Sequence, residues 1–176
     1  MYPKAYLDYL YHFHCDRDYF ECHEVLEEYW KEKDAAERDI HWVGLIQVAV
    51  GLYHHRRGNF NGALRMLQNA CRIIEKESTA IDALGLDSRK LVNLLEERMD
   101  SVLKQEPYYS LNLPIADPEL QLSCEVKAKK AKLTWGTASN MLDGSLVNRH
   151  TLRDRSEVIT ERQRQLKLRK RREAGE

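Results

Sequence analysis

A chain of 176 residues with 43% hydrophobic and 32% charged side chains suits one well-buried domain plus an appendage and is short for two full domains. No apolar run approaches the length of a bilayer span, and the opening MYPKAYLDYLYHFH lacks a secretory h-region and cleavage site, so neither membrane insertion nor export is expected. The formal charge of zero hides an asymmetry: residues 1–108 hold 14 Lys and Arg against 19 Asp and Glu, whereas residues 109–176 hold 14 against 9.

In chain order, Tyr2 to about His14 reads as a helix with Pro3 in its first turn and Tyr6, Tyr9, Leu10 and Phe13 as an apolar stripe. Asp18 opens the next helix, with Glu21 placed to complete a reciprocal capping box, and Tyr19, His23, Leu26 and Trp30 recur at helical spacing. After the charged connection KEKDAAERD, a helix from about Ile40 to Arg57 is apolar nearly all round, which makes it the central element. Gly44 and Gly51 permit close approach of a neighbour, Gly58 supplies a left-handed stop, and His54, His55, Arg56 and Arg57 face the helix dipole. Asn59 caps a fourth helix with Ala63, Leu67, Ala70 and Ile74 as a narrow stripe. A loop from Ser78 to Asp87 leads to a fifth helix, capped by Ser88, with Leu91, Leu95, Met99 and Val102 inward.

Past Pro107 the character changes. Pro114, Pro118 and the alternating run Leu120 to Val126 suggest an extended connector with one or two short strands. Asn148 to Glu173 is helix-compatible, charged and basic at its end. The expected organisation is therefore a bundle over 1–107, a connector over 108–147 lying on it, and a charged helix over 148–176.

Superposing RDYFECHEVLEEYW on GNFNGALRMLQNAC aligns Tyr19 with Phe60, Cys22 with Ala63 and Leu26 with Leu67, an echo compatible with stacked helical hairpins. The second copy resembles a tetratricopeptide repeat through Gly51, Ala63, Leu67 and Ala70. HEVLEEYW (23–30) followed by GLIQVAVGLYHHRRGNFNGA (44–63) resembles the small prokaryotic helical domain known as domain of unknown function 309, over roughly residues 10 to 75. That resemblance implies an all-α fold of tetratricopeptide-like hairpins, and it implies no catalytic residue or cofactor.

The candidate chemistry centres on His23, Glu24 and Glu27 of the second helix and Gln47, His54 and Arg57 of the third. One reading is structural: Glu24 or Glu27 pairs with Arg57 or His54 across the helices, and Gln47 satisfies a buried group. Another is a divalent metal held by His23, Glu27 and His54, although the repeated Glu-x-x-His step of di-metal bundles is missing. Nucleophilic catalysis has little support: GNFNG lacks the Lys-Ser/Thr of a phosphate loop, and Cys22 reads as a packed, inert thiol. A third reading places nucleic acid on Arg162, Arg164, Lys167, Arg169, Lys170, Arg171 and Arg172, without interleaved aromatics for base stacking.

Cys15, Cys22, Cys71 and Cys124 form no CxxC pair and read as reduced thiols of a cytoplasmic chain. Together these features favour a non-enzymatic protein-interaction module without a cofactor. Its partner is expected to be another protein; the alternatives are a metal-dependent enzyme and a nucleic-acid binder.

Overall fold

The chain folds around its most apolar segment. In the computed structural model, which describes the backbone of residues 1–152 and 156–173 and the side-chain surroundings of 1–151, 160–167 and 171, that segment is α3 (Ile40–Arg56). Helices α2 (Tyr19–Lys31) and α4 (Phe60–Lys76) both pack on it. With no polar stripe to keep wet, α3 buries Leu45, Val48 and Leu52 on one side, Gly44 and Gly51 on a second, and Ile46 and Tyr53 on a third. At Gly51 the backbones come close: a methyl group there would lie 2.7 Å from Leu67 Cδ2 of α4. The turn after α3 works as its residues dictate, with Gly58 at φ +74° and Asn59 Oδ1 accepting from the Gly62 N–H at 3.0 Å.

Helix α1 (Lys4–Tyr11) runs into a wide turn, His12–Asp16, that ends at Arg17 with φ +56°. Asp18 caps α2 by accepting from the Glu21 N–H at 3.0 Å, but the reciprocal bond from Glu21 is replaced: the Asp18 N–H donates to Asp16 Oδ1 at 3.0 Å. The Ser78–Asp87 stretch, read as a loop, contains the short helix α5 (Ser78–Ala83), and α6 (Ser88–Leu103) is capped by Asp87 rather than Ser88. Asp87 Oδ1 accepts from the Lys90 N–H at 2.8 Å, which leaves Ser88 as the first helical residue.

The strands anticipated at Leu120–Val126 are instead part of helix α7 (Pro118–Lys130). Asp117 caps it, Pro118 pre-sets its first turn, and Leu120, Cys124 and Ala128 bury one face at a spacing of four. The Lys127–Asp8 ion pair and a 2.5 Å bond from Tyr2 Oη to Asp117 tie α7 to α1. The only β-type pairing among the described residues is the isolated Leu86–Ile115 bridge, so the fold is all-α, a compact bundle. Short helices α8 (Gly144–Val147) and α9 (Arg149–Leu152) precede the basic α10 (Ser156–Glu173). No described helix is long and apolar enough to cross a membrane.

Buried cations of the bundle hold the connector down by its main chain. Arg17, 1% exposed, donates to the carbonyls of Thr137 (2.7 Å), Leu111 (2.6 Å) and Phe13 (2.9 Å) and to Asn112 Oδ1 (2.6 Å). Arg98, fully buried, donates to the Tyr109 carbonyl at 2.5 Å and stacks on that ring at 3.7 Å. Arg56 lies 4.6 Å over the Tyr19 ring and donates to the Arg17 carbonyl at 2.8 Å, while His55 Nε2 donates to the Glu106 carbonyl at 2.9 Å. This clamp sets the path of residues 106–147 and thereby brings α8 and α9 beside α2.

An acidic groove along the second helix

The solvent side of α2 carries Glu21, Glu24, Glu27, Glu28, Lys31 and Glu32 because the helix buries its opposite face, Tyr19, Cys22 and Leu26, against α1 and α3. Ser145 and Arg149 of the connector's end face this surface, and with Phe20 they enclose an open groove of about 1020 Å³. Arg149 forms an ion pair with the α2 cap, Asp18, and His150 fixes the same turn: its backbone N–H donates to Tyr53 Oη at 3.1 Å.

His23 sits between two carboxylates, Nδ1 at 3.1 Å from Glu24 and Nε2 at 3.3 Å from Glu27, and Lys31 Nζ lies 2.7 Å from Glu27. The ligand atoms of His23, Glu24 and Glu27 all fall within 4.8 Å of one another. His54 does not join them; its Nδ1 meets the Asn59 amide at 3.2 Å, and burial lowers its pKa.

The expected seam between α2 and α3 therefore does not form. Arg57 donates to Asn148 at 3.2 Å and stacks on Tyr53 at 5.6 Å, and neither it nor His54 pairs with a carboxylate among the described residues. The reason is the connector: it occupies the C-terminal turn of α3 and supplies oxygen acceptors there, while on α2 His23 and Lys31 reach Glu27 at one-turn spacing. Gln47 departs further, since its buried Oε1 has no hydrogen-bond partner. An unpaired buried amide oxygen costs about 1–3 kcal/mol, so Gln47→Met, nearly equal in shape, is expected to stabilise the protein by about 1 kcal/mol in urea denaturation.

Other functional candidates were hidden in the sequence. Arg98 lies seven residues after Leu91 on the inward stripe of α6, where the periodicity had placed Met99, and that spacing was the available signal. Arg56, expected to face the helix dipole, is buried at 5% exposure. Arg17 carried no signal beyond the helix break around it. In the tail, Arg162, Arg164, Lys167 and Arg171 are exposed on α10, and the side chains of Arg169, Lys170 and Arg172 lie outside the described residues.

Residues 6–66 match the family described as Domain of unknown function (DUF309). The chain is also 48% identical over 170 residues to the uncharacterized protein YpuF of Bacillus subtilis (strain 168), a likeness covering 97% of this chain and 98% of that protein. The chain belongs to the DUF309 family. No solved structure matches it. The DUF309 match spans α1 to the start of α4 and so contains His23, Glu24, Glu27, Gln47, His54, Arg57 and the clamp residues Arg17 and Arg56. Arg98, the connector and α10 fall beyond that span, whereas the likeness to YpuF runs along nearly the whole chain.

Proposed function

We propose that the protein is a non-enzymatic interaction module of the cytoplasm, built of tetratricopeptide-like hairpins, whose acidic groove along α2 docks a positively charged segment of a protein partner. The observation that carries this reading is charge: among the described residues Glu21, Glu24, Glu27, Glu28 and Glu32 line one groove with two cations, Lys31 and Arg149. Glu21, Glu28 and Glu32 have no ion-pair partner among the described residues. Concentrated carboxylates focus negative potential, which steers a cationic segment in and selects against acidic ones. Phe20 adds an apolar ring for the aliphatic stems of lysine or arginine.

Two other readings have less support. For a metal on His23, Glu27 and His54, Glu27 already meets the His23 ring and Lys31, and His54 is engaged elsewhere. Nucleic acid on α10 has exposed cations in its favour and no aromatic among its 18 residues to stack a base.

A fluorescein-labelled peptide RQRQLKLRKRR, the cationic run of this chain, serves as probe in an anisotropy titration. Binding is expected to weaken with salt and to fall at least about tenfold in Glu24→Lys/Glu28→Lys, a loss of roughly 1.4 kcal/mol. Equal affinity for the wild-type and the charge-reversed protein would refute the groove as the docking site. A DNA duplex bound more tightly than the peptide in the same assay would favour the tail instead.

A further inference from the structure

We propose that Cys71, Glu75 and Glu96 form a binding site for a divalent transition-metal ion of the zinc type, between α4 and α6. Cys71 and Glu75 stand one turn apart on α4, and Glu96 reaches in from α6. The Cys71 thiol and one oxygen of each carboxylate all lie within 4.8 Å of one another. The site is independent of the acidic groove and of what docks there.

The contrast with the α2 cluster is decisive. There, an imidazole and an ammonium sit among the carboxylates; here, none of the three side chains has a hydrogen bond or ion pair among the described residues. Cys71 is only 6% exposed, so its unpartnered thiol is buried and aimed at two like-charged groups. Two carboxylates that converge without a cation repel one another and leave a gap in the local charge balance that a dication fills. Arg89 lines the adjoining groove of about 340 Å³ with Glu75 and Glu96, yet makes no ion pair with either.

Thiolate and carboxylate together select zinc-type ions over magnesium or calcium, which take oxygen ligands alone. A tetrahedral ion with bonds of about 2.3 Å to sulfur and about 2.1 Å to oxygen holds its ligands roughly 3.5 Å apart. The three groups must therefore close by about an ångström, a movement open to the exposed side chains of Glu75 and Glu96. Water from the groove supplies the fourth ligand. Burial, reinforced by Glu75 and Glu96, pushes the Cys71 thiol up to about 11, so without metal it is protonated at neutral pH. On binding, a metal–sulfur bond replaces the S–H bond and one proton passes to solvent.

Cobalt(II) added to the full chain, purified without an affinity tag, reads the site directly. One equivalent is expected to produce a thiolate-to-cobalt charge-transfer band that zinc abolishes by displacement. The band is expected to disappear in Cys71→Ser, to need at least tenfold more cobalt in Glu96→Gln, and to persist in His23→Ala/Glu27→Gln. Because Glu96 is exposed, Glu96→Gln keeps the test valid even if Cys71→Ser misfolds. No band in the wild-type protein, a band that survives Cys71→Ser, or unchanged cobalt affinity in Glu96→Gln would overturn the proposal.

Discussion

Arg17→Ala is expected to lower stability by about 3–5 kcal/mol, the largest loss of any single substitution considered, read from the midpoint of urea unfolding at constant m. The guanidinium is 1% exposed, and each of its three nitrogens donates, to three carbonyls and the Asn112 amide oxygen. Two of those carbonyls, Leu111 and Thr137, belong to the connector, so truncation leaves buried acceptors unpaired on both sides of the contact. The residue also holds φ +56°, a conformation that alanine tolerates poorly and that the anchored side chain helps to enforce. Arg17→Lys is expected to recover less than half of the loss, because an ammonium cannot present the planar fork that reaches these acceptors together. Faster proteolysis within residues 131–143 should accompany the loss, since the bond from Arg17 to the Thr137 carbonyl is one of the anchors of that part of the connector.

The second large effect is a dependence of stability on pH through His14. Its ring is 1% exposed, stacked on Trp135 at 4.2 Å, and bonded at both nitrogens: Nδ1 to the Leu10 carbonyl at 2.8 Å, Nε2 to the Leu113 N–H at 3.0 Å. The Leu113 N–H can only donate, so Nε2 must accept and the proton resides on Nδ1. Burial, with Arg17 adding to it and the Leu10 bond opposing, lowers the pKa to about 3 from an ordinary value of 6.5. The unfolded chain thus takes up a proton below pH 6.5 that the folded chain refuses. Stability from this group is complete above 6.5 and falls as pH drops towards 3, by about 1.4 kcal/mol per pH unit. Between pH 7.5 and 5 the wild-type protein should lose about 2 kcal/mol more than His14→Gln. His41, His54 and His55 are shifted the same way by burial and remain in both proteins, so the difference isolates His14. Parallel profiles for the two would contradict the buried neutral imidazole.

Both effects arise where the connector meets the bundle, which is also where the sequence is least readable. The α2–α4 core is legible because its signals are local: Asp18 and Asn59 cap, Gly58 stops, and an apolar helix must be central. In LQLSCEV, alternation of period two and a stripe of period four coexist over seven residues, too few to separate them. Asp117-Pro118 just ahead was the cue for a helix start. The acidic face of α2 is likewise visible in its spacing. The partners of His54 and Arg57 are not, because Asn148 is 91 residues away from Arg57 and its position depends on the Arg17, Arg56 and Arg98 clamp. Buried arginines that bond to carbonyls leave no complementary acid in the sequence to betray them.

The central claim, docking of a cationic segment along α2, is tested most directly by amide chemical-shift mapping of the full chain titrated with RQRQLKLRKRR at low salt. The shifts are expected to concentrate on residues 20–32 and 145–149 and to collapse in Glu24→Lys/Glu28→Lys. Shifts confined to α4, α6 or α10, with 20–32 unmoved, would contradict the account.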